Sequence, residues 1–154
     1  MANMNDNVDA QADTKLVDTE YGPVYSKRRM MIVIYKHIED MTCLPLYSFG
    51  YRGILCKPVN LGPEHVGVID RDDQTYKNES VYQAFVATCR RKPLHPATAC
   101  RLTGGTNVNC KEDIAQIGII NQQSYNRLEA LYADRMKIAA AEPYKVFANK
   151  QGGR

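Results

Sequence analysis

The sequence predicts an α+β protein: a strongly bent antiparallel β-sheet, or an open small barrel, of roughly five to seven short strands with one C-terminal helix. Three observations predict it. Short β-branched and aromatic runs recur from Val24 to Ile120, Gly and Pro clusters separate them, and only Asn121 to Ala141 keeps helical spacing throughout. At 154 residues, with a hydrophobic fraction of 44% and a charged fraction of 24%, the chain is long and apolar enough for one buried core.

Residues 1 to 22 are polar, acidic and aperiodic, so they read as a disordered arm that cannot bury enough surface to offset its ordering entropy. Gly22-Pro23 ends the arm, residues 23 to 142 read as a single β-rich domain, and residues 143 to 154 as a basic tail. Met31 to Tyr35 is dense in β-branched and aromatic side chains and reads as a buried strand, led by a solvated Lys27-Arg28-Arg29 edge. Glu39-Asp40 makes a polar turn and Met41 to Phe49 a second strand. Gly50 and Gly53 flank Tyr51-Arg52 as turn residues able to take positive φ.

Ile54 to Cys56 reads as the start of a third strand, stopped by Lys57-Pro58. Asn60 to Pro63 is a further turn, His65 to Asp70 a short strand and Arg71 to Glu79 a charged loop. Val81 to Arg90 fits a helical face or a buried strand equally by its spacing. Lys92 to Pro96 is extended or turn-like, Gly104-Gly105 is a turn, and Ile114 to Ile120 is the last strand with Gly118 at a bulge. In the helix, capped by Asn121 or Ser124, the residues Tyr125, Leu128, Leu131, Tyr132, Met136 and Ala139 form one broad apolar face. Arg127, Glu129, Asp134, Arg135 and Lys137 form a mixed-charge solvent face, and Pro143 ends the element.

Charge is uneven along the chain. The first twenty residues hold five acids against Lys15, a net −4, so the rest of a chain of formal charge +3 carries +7. A surplus of that size favours anionic partners without marking one face as a nucleic-acid footprint. The start MANMND has neither a basic region nor an apolar stretch, and no apolar run approaches the length of about 20 residues that spans a bilayer. An odd, scattered set of cysteines (Cys43, Cys56, Cys89, Cys100, Cys110) is not a disulfide framework. The expectation is an intracellular protein, cytoplasmic or nuclear, away from membranes, in which the Asn78-Glu79-Ser80 sequon has no role.

The block Cys43-Leu44-Pro45-Leu46-Tyr47-Ser48-Phe49-Gly50, with Gly53, Lys57-Pro58 and Gly62-Pro63-Glu64-His65 after it, resembles a fungal family of unknown function. That family carries C-L-P-I-x-T-Y-G, then K-P, P-E-x-H, L-D-P-x-S-R and V-E-H-N-V-K-V. Leu94 to Leu102 resembles its fourth block with one extra residue and Val108 to Ile114 an eroded fifth, so the likeness runs over residues 29 to 132. Asn109 and Cys110 stand where the fifth block has glutamate and histidine, and His65 follows Glu64 directly instead of being spaced by one residue. The resemblance implies a fungal origin, a β-rich architecture and a strand at Tyr82 to Arg90. It implies no activity.

Catalysis needs a nucleophile, a base and a group that orients the base. Of His37, His65 and His95, His65 is the best base, beside Glu64, with Cys43, Cys56 or Cys110 as thiols. The plainer reading has His65 satisfying backbone groups at a strand start and the cysteines filling the core, so no catalytic residue is assigned. No closely spaced pair of cysteines or histidines suits zinc, and Leu102 to Thr106 lacks the lysine and following helix of a phosphate loop. No metal and no cofactor are expected. The expected function is a non-catalytic intracellular binding module for an unidentified protein partner. Its candidate ligand-binding residues are Tyr47, Phe49, Tyr51, Arg52, Lys57 and His65. The alternative is single-stranded RNA or DNA on the same aromatic and basic surface, and the second alternative is a cysteine/histidine hydrolase.

Overall fold

The computed structural model describes residues 29–141 in full and, before them, the backbone of Leu16–Thr19 and Gly22–Tyr25. Those two segments pair antiparallel as β1 and β2, with Leu16 opposite Tyr25 and Thr19 opposite Gly22. Leu16–Thr19 falls within the acidic arm read from the sequence. The rest of that arm and the basic tail lie outside the described residues.

The main sheet is curled and mixed, and together with one C-terminal helix it makes the α+β fold expected from the sequence. Its order is β3 (Met31–Lys36), β4 (Asp40–Tyr47), β7 (Ala99–Arg101), β5 (His65–Asp70), β6 (Phe85–Cys89), β9 (Gly118–Ile120), and β8 (Thr106–Asn109) pairs with β4 off that path. The pairs are antiparallel except β5 with β6, which run parallel with Val68 opposite Phe85. A parallel pair needs a long crossover, and the charged loop after β5 supplies it.

Pro45 explains the curl. Along one side of β4, Asp40 to Cys43 pair with β8, whereas Leu46 and Tyr47 pair with β7. The change of neighbour falls at Leu44-Pro45, where the proline has no N–H to give to a ladder. Gly104, in the turn from β7 to β8, packs on that proline: a Cβ there would come 2.9 Å from Pro45 Cγ. On β3, Ile34 is a bulged residue between Val33 and Tyr35, and its carbonyl accepts the Tyr125 hydroxyl at 2.7 Å.

The helix α1 (Gln122–Ala141) starts as the sequence reading places it. Asn121 caps it, its Oδ1 accepting the Ser124 N–H at 2.8 Å. Its buried contribution is narrower than the expected face. Leu128 is fully buried among Ile34, Leu44, Val66, Val68, Phe85 and Leu102, and Tyr125, Leu131 and Tyr132 are half-buried, but Met136 and Ala139 are exposed. The helix covers the sheet as far as Tyr132, and one turn on Arg135 Nη2 still donates to the Tyr82 hydroxyl at 3.2 Å, after which it is exposed.

Three local expectations are corrected. Ile54–Cys56 is a 3-10 turn, not a strand, because only four residues separate Gly53 at φ 76 from Pro58 and the Lys57 N–H closes back on the Ile54 carbonyl at 2.9 Å. Ile114 to Ile117 is irregular, and the strand is confined to Gly118–Ile120. Gly118 is there for close approach instead of a bulge, since a Cβ would lie 2.6 Å from the Thr88 carbonyl. Val81 to Arg90 resolves as β6, with Val81 to Ala84 leading into it. Among the described residues no helix is long and apolar enough to cross a membrane.

Candidate functional site

The candidate site is built where β4 ends and β5 begins. After Tyr47 the chain enters a loop in which Phe49, Gly50 and Tyr51 take consecutive positive φ values of 54, 65 and 66, followed by Gly53 at 76. The two glycines adopt this region freely; Phe49 and Tyr51 do so at a cost of about 1 kcal/mol or more each. The loop is held by the Gly53 N–H on the Ser48 carbonyl at 3.1 Å and by Arg52, whose Nε donates to the Phe49 carbonyl at 3.1 Å. Glu79 braces it from outside, so that a Cβ on Gly53 would meet Glu79 Oε2 at 2.6 Å.

This conformation turns Phe49 back under the sheet end. Its ring stacks on Tyr47 with centroids 5.5 Å apart at 20°, and meets the His65 imidazole edge-on at 5.5 Å. Lys57 Nζ sits 4.8 Å from the Phe49 centroid, and the Arg29 guanidinium 5.7 Å from that of Tyr47. Each ring of the pair therefore already has a cation and an aromatic neighbour.

His65 opens β5 and is only 3% exposed. Its Nδ1 lies 2.8 Å from the Leu61 carbonyl, which can only accept, so Nδ1 carries a hydrogen. Its Nε2 has no hydrogen-bond partner among the described residues. His65 lines a pocket of about 310 Å³ together with Tyr47, Phe49, Lys57, Leu61, Glu64 and Arg101.

Arg101 reaches this pocket through strand register. It stands opposite His65 in the β5–β7 pair, which puts both side chains on one face. Its Nε donates to Thr103 Oγ1 at 3.3 Å, and the Thr103 hydroxyl donates to Glu64 Oε2 at 2.9 Å. Glu64 Oε2 thus accepts one hydrogen bond, and Oε1 has no partner among the described residues.

Of the six residues singled out in the sequence, Tyr47, Phe49, Lys57 and His65 line this pocket. Tyr51 and Arg52 do not. Tyr51 is 72% exposed and rests on the His95 ring at 4.3 Å, while Arg52 secures the loop. Sequence reasoning missed Leu61, Glu64 and Arg101. Arg101 closes the block that resembles L-D-P-x-S-R, the one signal that pointed to it.

None of the five cysteines lines the pocket. Cys43 and Cys100 are buried in the sheet, and burial raises both thiols, that of Cys100 to about 12. Cys89 is raised as well, by burial and then by the nearby Asp70 carboxylate. Cys56 is exposed. No three metal-ligating side chains gather among the described residues. No family model matches this chain, and no curated protein or solved structure was found to be similar to it.

Proposed function

We propose that the chain is a non-catalytic binding module for a protein partner, with the pocket between the β4 loop, β5 and β7 as its recognition site. The observation that carries this reading is the pocket that Lys57, Arg101, Glu64 and His65 line together with the stacked rings of Tyr47 and Phe49. Next to Lys57 in the chain, Tyr51, Leu55 and Val59 are 72%, 73% and 95% exposed. Exposed apolar side chains on the segment that carries Lys57 are the kind of surface a protein partner covers on docking. An intracellular setting, and the fungal origin implied by the resemblance over residues 29 to 132, belong to the same proposal.

Catalysis has less support. The seven lining residues include no thiol and no aliphatic hydroxyl within the wall that His65 faces, so a cysteine/histidine hydrolase would have to bring its nucleophile from elsewhere. Single-stranded RNA is the second reading, favoured by the exposed Tyr51 ring. Against it, base stacking needs an open aromatic face, and Tyr47 and Phe49 are engaged with each other and with Arg29 and Lys57.

Fluorescence anisotropy separates the two. A labelled single-stranded RNA and a pool of labelled peptides are titrated at about 50 and 200 mM salt, since RNA affinity falls with a log-log slope of about −0.7 per phosphate contact. The expected result is saturable peptide binding that Arg101→Ala weakens, with RNA bound poorly. Tight, steeply salt-dependent RNA binding that Tyr51→Ala weakens, with no peptide binding, would overturn the proposal.

A further inference from the structure

The pocket's chemistry narrows what part of a partner it takes. It offers two cations, Lys57 and Arg101, against one carboxylate, Glu64, whose Oε2 is occupied by the Thr103 hydroxyl. For N–H donors it offers Glu64 Oε1, which has no partner among the described residues, and the nearly buried His65 ring, whose Nδ1 is held by the Leu61 carbonyl. It offers an apolar wall of Phe49, Tyr47 and Leu61. A complementary group has one negative charge, one or two N–H donors and one apolar side chain.

We infer that this pocket captures the C-terminal residue of a polypeptide, an inference that rests on the protein-partner reading above. The terminal α-carboxylate lies between Lys57 and Arg101, where charge-assisted hydrogen bonds are strongest. The last backbone N–H donates to His65 Nε2 or Glu64, and the last side chain lies against Phe49 and Leu61. A phosphate dianion is the poorer fit, since its second charge would face the Glu64 carboxylate. The volume of about 310 Å³ is at the small end of ligand pockets, which run from about 300 to 1,000 Å³, and suits one terminal residue better than a dinucleotide.

The test compares two pools of N-terminally fluorescein-labelled hexapeptides with random sequence and a final Leu or Phe, identical except that one ends in a free carboxylate and the other in an amide. Free leucine and N-acetyl-leucine serve as competitors. The expected result is an affinity at least about tenfold higher for the acid pool, the scale of a lost charge-assisted hydrogen bond. Lys57→Gln and Arg101→Gln should each bring the acid pool down towards the amide pool, while thermal melting shows that both variants are folded. Equal binding of acid and amide pools, both weakened by Arg101→Gln, would overturn terminal capture and leave the partner-binding reading standing. Free leucine competing as well as the peptide would overturn it in favour of a free amino acid. Failure of both pools to bind would overturn both readings.

Discussion

Ser124→Ala tests how the helix is joined to the sheet. The β6–β9 ladder ends where Ala87 faces Ile120, so the next pair would be Val86 with Asn121. Asn121 fills half of that role, its N–H donating to the Val86 carbonyl at 3.0 Å. Its own carbonyl is committed to the first helical bond, accepting the Tyr125 N–H at 2.9 Å, and the Val86 N–H turns instead to Ser124 Oγ at 2.8 Å. Ser124 is fully buried, and Arg127 Nη2 also donates to its oxygen at 3.3 Å. Arg127 keeps the Gln83 and Ala84 carbonyls if the hydroxyl is removed, but the Val86 N–H has no replacement. Leaving this part-buried donor without its partner costs up to the buried-donor penalty of about 1 to 3 kcal/mol. With a urea m-value of about 1 to 3 kcal/mol/M for a domain of this size, the unfolding midpoint should fall on the order of 1 M with m unchanged. The Val86 amide should also exchange faster than the loss of global stability explains. Gln123→Ala, one exposed residue earlier, should stay within about 0.5 kcal/mol of the parent. A Ser124→Ala midpoint equal to the parent's, with Val86 still protected, would refute the reasoning.

The Cys100 thiol, raised to about 12 by burial, makes stability fall at alkaline pH. The unfolded chain releases that proton near pH 9 and the folded chain holds it to about pH 12, so between these values each pH unit favours unfolding by up to about 1.4 kcal/mol. Denaturation series from about pH 8 to 11 should show a shallower alkaline slope for Cys100→Ala than for the parent, and parallel slopes would contradict this. Under native conditions a thiol reagent should label the exposed Cys56 first, with Cys43 and Cys100 reacting only through unfolding. At Gly67 in β5, a Cβ would overlap the Tyr76 hydroxyl and come 3.1 Å from its Cζ. Gly67→Ala should therefore destabilise by about 1 to 3 kcal/mol, as overpacking does. Adding Tyr76→Phe should recover part of that loss, and purely additive effects in chemical denaturation would count against the contact.

The elements with strong local signals were legible in the sequence: the Met31 to Tyr35 run, the Met41 to Phe49 alternation, the HVGVID strand and the Asn121 cap. The two strands of the main sheet that went unread have no such signal. Ala99–Arg101 is three residues long, and Thr106–Asn109 is polar. Both are strands because Pro45 divides one side of β4 into two short docking edges, a long-range effect. The parallel β5–β6 pair was hidden for a related reason: its crossover is a charged loop where a helix is the usual bridge. At the site, Tyr47, Phe49, Lys57 and His65 stood out because they fall within one short stretch of chain. Tyr51 and Arg52 are in that stretch too, but three successive left-handed residues send Tyr51 outward. Arg101 enters only through its register with His65, which local pattern does not reveal. The helix face was read too wide because spacing reports which residues share a face and not how far the sheet extends beneath them.

The most direct measurement of the central proposal is an amide chemical-shift titration of the whole chain with the free-carboxylate peptide pool. The largest shifts should fall on Phe49, Lys57, Leu61, Glu64, His65 and Arg101, with smaller ones along Tyr51 to Val59 and little change across α1. Saturating shifts confined to the basic Arg90-Arg91-Lys92 turn or to the exposed Ile114 to Ile119 edge, with the pocket residues unmoved, would contradict it.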